Sequence, residues 1–110
     1  KPVFDNITAG LSGPAIRPIA LRMVWELWEA LRTPPGKARP VPIVGAGGIA
    51  GAEDALEFLM AGASAVQTGS ATFPHPQTMI EIIDGIEEHM TKHGLSNPEE
   101  LSIRKAAWYA

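Results

Sequence analysis

The residues with the clearest chemical potential in this chain are glycines. Gly45-Ala46-Gly47-Gly48 and Gly69-Ser70 each follow an apolar run and precede a helical pattern, and Gly47 and Gly69 stand 22 positions apart. That is the length of one strand-helix unit. A right-handed βαβ connection leaves its two strands parallel and close together, so both loops emerge at the same carboxyl edge. Glycine lacks Cβ and lets backbone N–H groups come close to an anion. A helix behind each loop adds unpaired donors and the positive end of its dipole. Ser12-Gly13 forms a third loop, one helix upstream and expected on the same edge. Together the loops describe a cradle for a phosphate group; the alternative is glycines that only turn the chain.

Other polar residues assemble into nothing comparable. Ser70 can donate both its hydroxyl and its N–H to a phosphate oxygen, or simply cap a helix. Asp5, Asn6 and Thr8 read as structural loop residues. His75, His89 and His93 lack metal-ligand spacing; His89 and His93 are four apart but lie late on a polar helix face, so they read as solvated. Glu87, Glu88, Glu99 and Glu100 read as surface charge. No nucleophile–base or acid–base pair can be assembled, so neither a catalytic residue nor a metal ligand is assigned to this segment.

The surrounding pattern alternates strand and helix. Residues 1–14 form an extended piece and a Gly/Pro-rich loop. A helix is predicted from residue 15 or 18 to 31, with Ile16, Ile19, Ala20, Met23, Leu27, Ala30 and Leu31 as a broad apolar stripe. Leu21, Trp25 and Trp28 form a second stripe beside it, packed in the core or, alternatively, at a subunit interface. Residues 33–39 are a surface connection. Val41-Pro42-Ile43-Val44 reads as a short strand buried on both faces of a parallel sheet. Residues 52–60 make a helix with Ala55, Leu56 and Leu59 inward and Glu53 and Asp54 in its first turn, where the dipole favours acids. Residues 63–68 make the next strand. Residues 76–92 form an amphipathic helix with Met79, Ile82, Ile83, Ile86 and Met90 on one face and Gly94 at C′. Asn97 caps, and Pro98 begins, a last helix reaching about residue 109.

This alternation argues for an α/β architecture. Gly45-Ala46-Gly47-Gly48-Ile49-Ala50 does not complete G-x-G-x-x-G, and no acid ends the following strand, which disfavours a dinucleotide fold. In (β/α)₈ barrels a phosphate commonly sits between the last two βα loops and a short extra helix, and Gly47-Gly48, Gly69-Ser70 and Ala71-Thr72-Phe73 fit that scheme.

Composition sets the outer bounds. One hundred and ten residues, 45% apolar, suit a single domain. The net charge of −3, with nine scattered basic residues, gives no nucleic-acid footprint. Arg17, Arg22, Arg32, Lys37 and Arg39 cluster loosely about the first helix and read as its solvated face. No run approaches the ~20 apolar residues of a membrane span, and no signal-peptide pattern opens the chain. The absence of cysteine excludes disulfides, thiolate metal sites and a cysteine nucleophile within the segment. A cytoplasmic protein fits these bounds, and Lys1-Pro2-Val3-Phe4 reads as the middle of a longer chain.

These residues carry a family resemblance. Leu11-Ser12-Gly13-Pro14-Ala15-Ile16-Arg17-Pro18-Ile19-Ala20-Leu21-Arg22 resembles the loop and helix after strand six of class 1B, bacterial cytosolic dihydroorotate dehydrogenases. Val41-Pro42-Ile43-Val44-Gly45-Ala46-Gly47-Gly48-Ile49 is similar to their seventh strand and glycine loop. The run from Ala52 through Gly62-Ala63 to Gly69-Ser70-Ala71 resembles their helix seven, strand eight and final phosphate loop. The likeness extends from Lys1 to about Gly94. It implies the C-terminal part of an α/β, (β/α)₈ TIM barrel, its last βα units and terminal helices, incomplete as it stands; residues 1–110 would be one fragment of an FMN-binding domain. It further implies FMN-dependent oxidation of dihydroorotate to orotate, with Gly13, Gly47, Gly48, Gly69 and Ser70 binding FMN, largely its phosphate. The family usually has Thr at Ser70, so the hydroxyl is retained. Its cysteine base, flavin-side lysine and substrate-binding asparagines lie upstream, so the segment alone is expected to be inactive.

Implied partners are dihydroorotate or orotate and an iron–sulfur flavoprotein electron-transfer subunit, with no nucleic acid or membrane. Exposed strand edges or the Trp25/Trp28 face imply a homo-oligomer, or completion by the rest of the chain. Two alternatives remain: a phosphate-gripping barrel of another enzyme, such as a dihydropyrimidine dehydrogenase-like reductase or an isomerase, and a non-catalytic oligomerising fragment. On the first reading, Gly48→Asp in the full-length protein is expected to lose flavin; an unchanged FMN content in that variant, read from visible absorbance, would contradict it.

Overall fold

The computed structural model describes residues 1–3, 5–31 and 41–102. A 3₁₀ turn, Pro14–Ile16, leads into helix α1, Arg17–Leu31. Strand β1, Val44–Ala46, is followed by α2, Ala52–Ala61, and strand β2, Ala65–Gln67. A second 3₁₀ turn, Ser70–Thr72, precedes α3, Thr78–Lys92, and a third covers Pro98–Leu101. The mixture of helices and parallel strands bears out the α/β class; a closed barrel is not visible in a piece of this size.

β1 and β2 pair in parallel, with Val44 opposite Ala65, Gly45 opposite Val66 and Ala46 opposite Gln67. With α2 between them they form the expected βαβ unit. The pairing begins at the Ile43 carbonyl, which accepts from Ser64 N at 2.7 Å and Ala65 N at 3.4 Å. The first strand therefore sits later than the predicted 41–44, and it is not buried on both faces. Ile43 and Gly45 are buried, whereas Val41 and Val44 are 65% and 54% exposed. With two strands, the helices cover one face only.

That covered face is organised by Phe58 of α2, 0% exposed. It lies over Gly45 so closely that a Cβ there would meet the ring. Gly45 is thus a packing glycine inside a strand. Val24, Ile43, Ile49, Ala55, Ala63 and Ile82 join Phe58 in the core, with Trp25 and Trp28 half-buried against it. The tryptophans therefore pack in the core of their own chain, as the plainer of the two readings had it. The other stripe of α1 divides: Ile16, Ala20 and Leu31 are half-buried, whereas Ile19, Met23 and Leu27 are 59%, 63% and 46% accessible. On α3, Ile82 is buried and Ile86 and Met90 are half-buried, while Met79 and Ile83 face outward, contrary to the single inward face expected.

Turn chemistry follows the sequence closely. Gly62, at φ 118°, ends α2 in the left-handed region and donates to Leu59 O and Phe58 O. Gly94, at φ 67°, follows α3. The Asn97 side chain accepts from Glu99 N, but the element it caps is a 3₁₀ turn. α3 starts at Thr78, two residues later than predicted, where the buried Thr78 hydroxyl donates to His75 O at 2.6 Å. The predicted 33–39 connection, the basic residues Arg32, Lys37 and Arg39, and most of the last helix lie outside the described residues.

Phe58→Ala is expected to cost about 3–5 kcal/mol, because the ring fills the space that Gly45 leaves and no neighbour can replace it. The measurement is a denaturation midpoint on the full-length protein; a loss below ~1 kcal/mol would show that the wedge is dispensable.

Candidate functional site

The glycine loops meet. Gly13, Gly47, Gly48, Gly69 and Ser70 line one cleft of about 390 Å³ at the carboxyl ends of β1 and β2, together with Ser12. Ala46, Ile49, Gln67 and Thr68 complete its wall. Three stretches far apart in sequence are thus brought to one edge by the parallel pairing and by the packing of α1 on α2. A larger hollow, about 520 Å³, opens near the amino ends of the strands beside Trp28, Val41 and Pro42, and none of these loops reaches it.

Gly48 sets how closely the loops approach. Its φ is 74°, a left-handed conformation, and a Cβ there would lie 2.8 Å from Gly13 O and 2.9 Å from Arg17 N. A side chain at residue 48 would therefore wedge the loop after β1 away from the turn before α1. A Cβ at Gly69, by contrast, meets nothing within 4 Å. The two glycines differ in role: Gly48 permits backbone contact within the protein, and Gly69 leaves an open flank.

Donor supply differs from the sequence expectation. Among the described residues, no backbone bond outside the regular elements uses the N–H of Gly48, Gly69 or Ser70. The helix termini contribute less. The N–H of Ala50, just before α2, donates to Asp54 Oδ2 at 2.9 Å. Behind Gly69 stands only the three-residue turn Ser70–Thr72, whose Thr72 hydroxyl donates to Gly69 O at 2.7 Å. Thr68 adds a hydroxyl oxygen that is buried at the cleft and has no hydrogen-bond partner.

Two residues that the sequence reading placed elsewhere sit behind the loops. Arg17, read as part of a solvated basic face, pairs through its guanidinium with Asp54 Oδ1. Asp54, read as a dipole-favoured acid, is only 14% exposed in its side chain and grips Arg17 and Ala50 N at once. The signal was present: Asp54 follows the α2 cap residue Gly51 by three positions, where an acid reaches back to the chain before the helix.

The remaining candidates lie away from the cleft. Asn6 O accepts from Thr8 N at 2.6 Å in an exposed turn. His75 Nε2 pairs with Glu81 Oε1 at 2.9 Å on the surface, and His93 Nδ1 contacts His89 O at 2.8 Å. No group of three or more His, Cys, Asp or Glu that could hold a metal ion occurs among the described residues. No described helix is long and apolar enough to cross a membrane.

The segment is a parallel βαβ unit of α/β class whose loops converge on one cleft, and comparison with known proteins makes that class specific. The family model for dihydroorotate dehydrogenase matches residues 1–90, and this chain belongs to that family. It is 55% identical over 101 residues to the protein named dihydroorotate dehydrogenase B (NAD(+)), catalytic subunit, of Petrotoga mobilis. The proteins of the same name from Geotalea daltonii and Porphyromonas gingivalis are each 50% identical over 101 residues. Each match covers 92% of this chain and 30–31% of the relative, so the chain spans about a third of the length of these relatives.

The contrast between the two glycines is measurable. Gly48→Ala in the full-length protein is expected to lose at least about 1–2 kcal/mol, the cost of a left-handed alanine, with the contact on Gly13 O added. Gly69→Ala should stay within about 0.5 kcal/mol of wild type. Equal losses in chemical denaturation would show that the loops do not touch as described.

Proposed function

We propose that this segment supplies the phosphate grip for FMN in an enzyme that oxidises dihydroorotate to orotate in pyrimidine biosynthesis. The supporting observation is the convergence of Gly13, Gly47, Gly48, Gly69 and Ser70 on one cleft, within a chain whose family membership implies a flavin. The donor set suits a dianion: the loop amides of Gly48, Gly69 and Ser70, which no backbone bond outside the regular elements uses among the described residues, the Ser70 hydroxyl and the unpartnered Thr68 hydroxyl. Bound FMN would accept the hydride removed from the dihydropyrimidine ring. The residues of this chain hold and orient the cofactor at its phosphate end, and Ile49, 3% exposed, closes the floor beside Gly48.

On this reading the segment is the C-terminal part of a (β/α)₈ barrel domain, since phosphate sites in such barrels are built from the last two βα loops. The base that removes a proton from substrate belongs to other parts of the longer protein, so residues 1–110 alone are inactive. The relatives' name, with its catalytic subunit and NAD(+), supports an electron-transfer partner subunit that links the flavin to NAD in the cytoplasm. Oligomer formation or completion by the rest of the chain would cover the apolar residues that α1 and α3 leave exposed.

Full-length protein is expected to purify with a visible flavin spectrum and to bind FMN far more tightly than riboflavin, which lacks the phosphate. Gly69→Asp tests the grip without disturbing the fold, because residue 69 has room for a side chain. The added carboxylate should reduce FMN affinity at least about tenfold by like-charge repulsion in a partly desolvated site. Equal affinity of wild type for the two flavins would overturn the assignment.

A further inference from the structure

We infer that Arg17 and Asp54 form a clamp that sets the spacing of the phosphate loops, making both of them positioning residues for the cofactor's phosphate end. The inference rests on the FMN reading above but concerns residues that do not line the proposed ligand cleft. Asp54 stands on α2, behind the Gly47-Gly48 loop. One of its carboxylate oxygens accepts from Ala50 N, two residues beyond Gly48, and the other pairs with the Arg17 guanidinium. Arg17 is the first residue of α1 and directly follows the turn Pro14–Ile16. That turn is closed by Ile16 N donating to Gly13 O at 3.2 Å. The turn that Ile16 N closes on Gly13 O leads covalently into Arg17, whose side chain reaches Asp54 and through it the backbone beside Gly48.

The location of the clamp explains why it has consequences. The Gly48 backbone already lies against Gly13 O and Arg17 N, with no room for a Cβ between them. Such a contact is short-ranged and resists compression but not separation. The ion pair opposes separation. Asp54 is mostly buried and Arg17 is about one-third exposed, so the pair is partly desolvated and stronger than an exposed surface pair. Its carboxylate also makes two charge-assisted contacts at once, which fixes direction as well as distance. A second acid of α2, Glu57, stands 4.0 Å from Arg17 Nε. Loosening the clamp would let the Ser12-Gly13 and Gly47-Gly48 amides drift apart. A phosphate that needs both would lose contacts, and the rest of a flavin would not.

The test compares two ligands on the full-length apoprotein. FMN and riboflavin are titrated separately by quenching of flavin fluorescence, against wild type, Asp54→Ala, Asp54→Asn, Arg17→Met and Arg17→Lys. Asp54→Ala and Arg17→Met are each expected to weaken FMN about tenfold, the worth of a hydrogen bond to a charged group, and to leave riboflavin unchanged. Arg17→Lys keeps the charge and should restore most of the loss. Asp54→Asn keeps an acceptor for Ala50 N but not the charge; it should fall between, and it serves if the alanine variant does not fold. Parallel weakening of both flavins would reveal general structural damage and overturn the clamp. So would variants that retain the wild-type preference for FMN. A wild type that shows no preference at all would instead overturn the phosphate reading, which keeps the two failures apart.

Discussion

Backbone-to-backbone contact between two loops, permitted by the missing side chain at Gly48, governs the architecture of this segment. The loop after β1 rests directly on Gly13 O and on the first turn of α1. Hydrogen bonds alone could not achieve this proximity, because any Cβ at residue 48 would fill the gap. A left-handed backbone at the same residue turns the chain into the contact, which is why one glycine satisfies both demands. Every other element acts to bring those two loops to the same place.

The core supplies the force for that arrangement. Phe58 presses α2 onto Gly45, and burial of a phenylalanine contributes about 1.5–3 kcal/mol. Trp28 reaches the C-terminal end of α2, close enough to Gly62 that a side chain there would strike the indole. The two aromatic contacts pin α2 at the strand and at its own end, while Val24 and Trp25 hold α1 alongside. Rigid placement of the helices carries through to the loops because packed interiors transmit displacement rather than absorb it.

Electrostatics at the cleft are arranged around amides instead of helix ends. Asp54 meets the donor just before α2, the N–H of Ala50. The same carboxylate neutralises Arg17, the cation of the α1 turn. What remains for a ligand is a set of uncharged donors on loops, supplemented by the hydroxyls of Thr68 and Ser70. On the proposed reading, such donors would recognise a dianion by number and geometry more than by long-range attraction.

Much of this was legible in the chain alone, for reasons that are local. Glycine pairs after apolar runs, acids in a first helical turn, and Asn97-Pro98 before two glutamates each impose a backbone conformation within a few residues. The strand and helix order, the turn at Gly94 and the convergence of the glycine loops on one cleft followed from such signals. The register of β1 and the outward stripe of Ile19, Met23 and Leu27 did not, and Trp25 and Trp28 stayed open between the core and a subunit interface. Two apolar stripes on one helix are equivalent until a neighbour is placed, and only the packing of α2 chose between them. The Arg17–Asp54 pair belongs to the same class: 37 residues separate its members, and long-range pairing has no local signature. Sequence determined what each loop could do; the packing of α1 on α2 decided which loops could act together, because distance between remote residues exists only once the chain is folded.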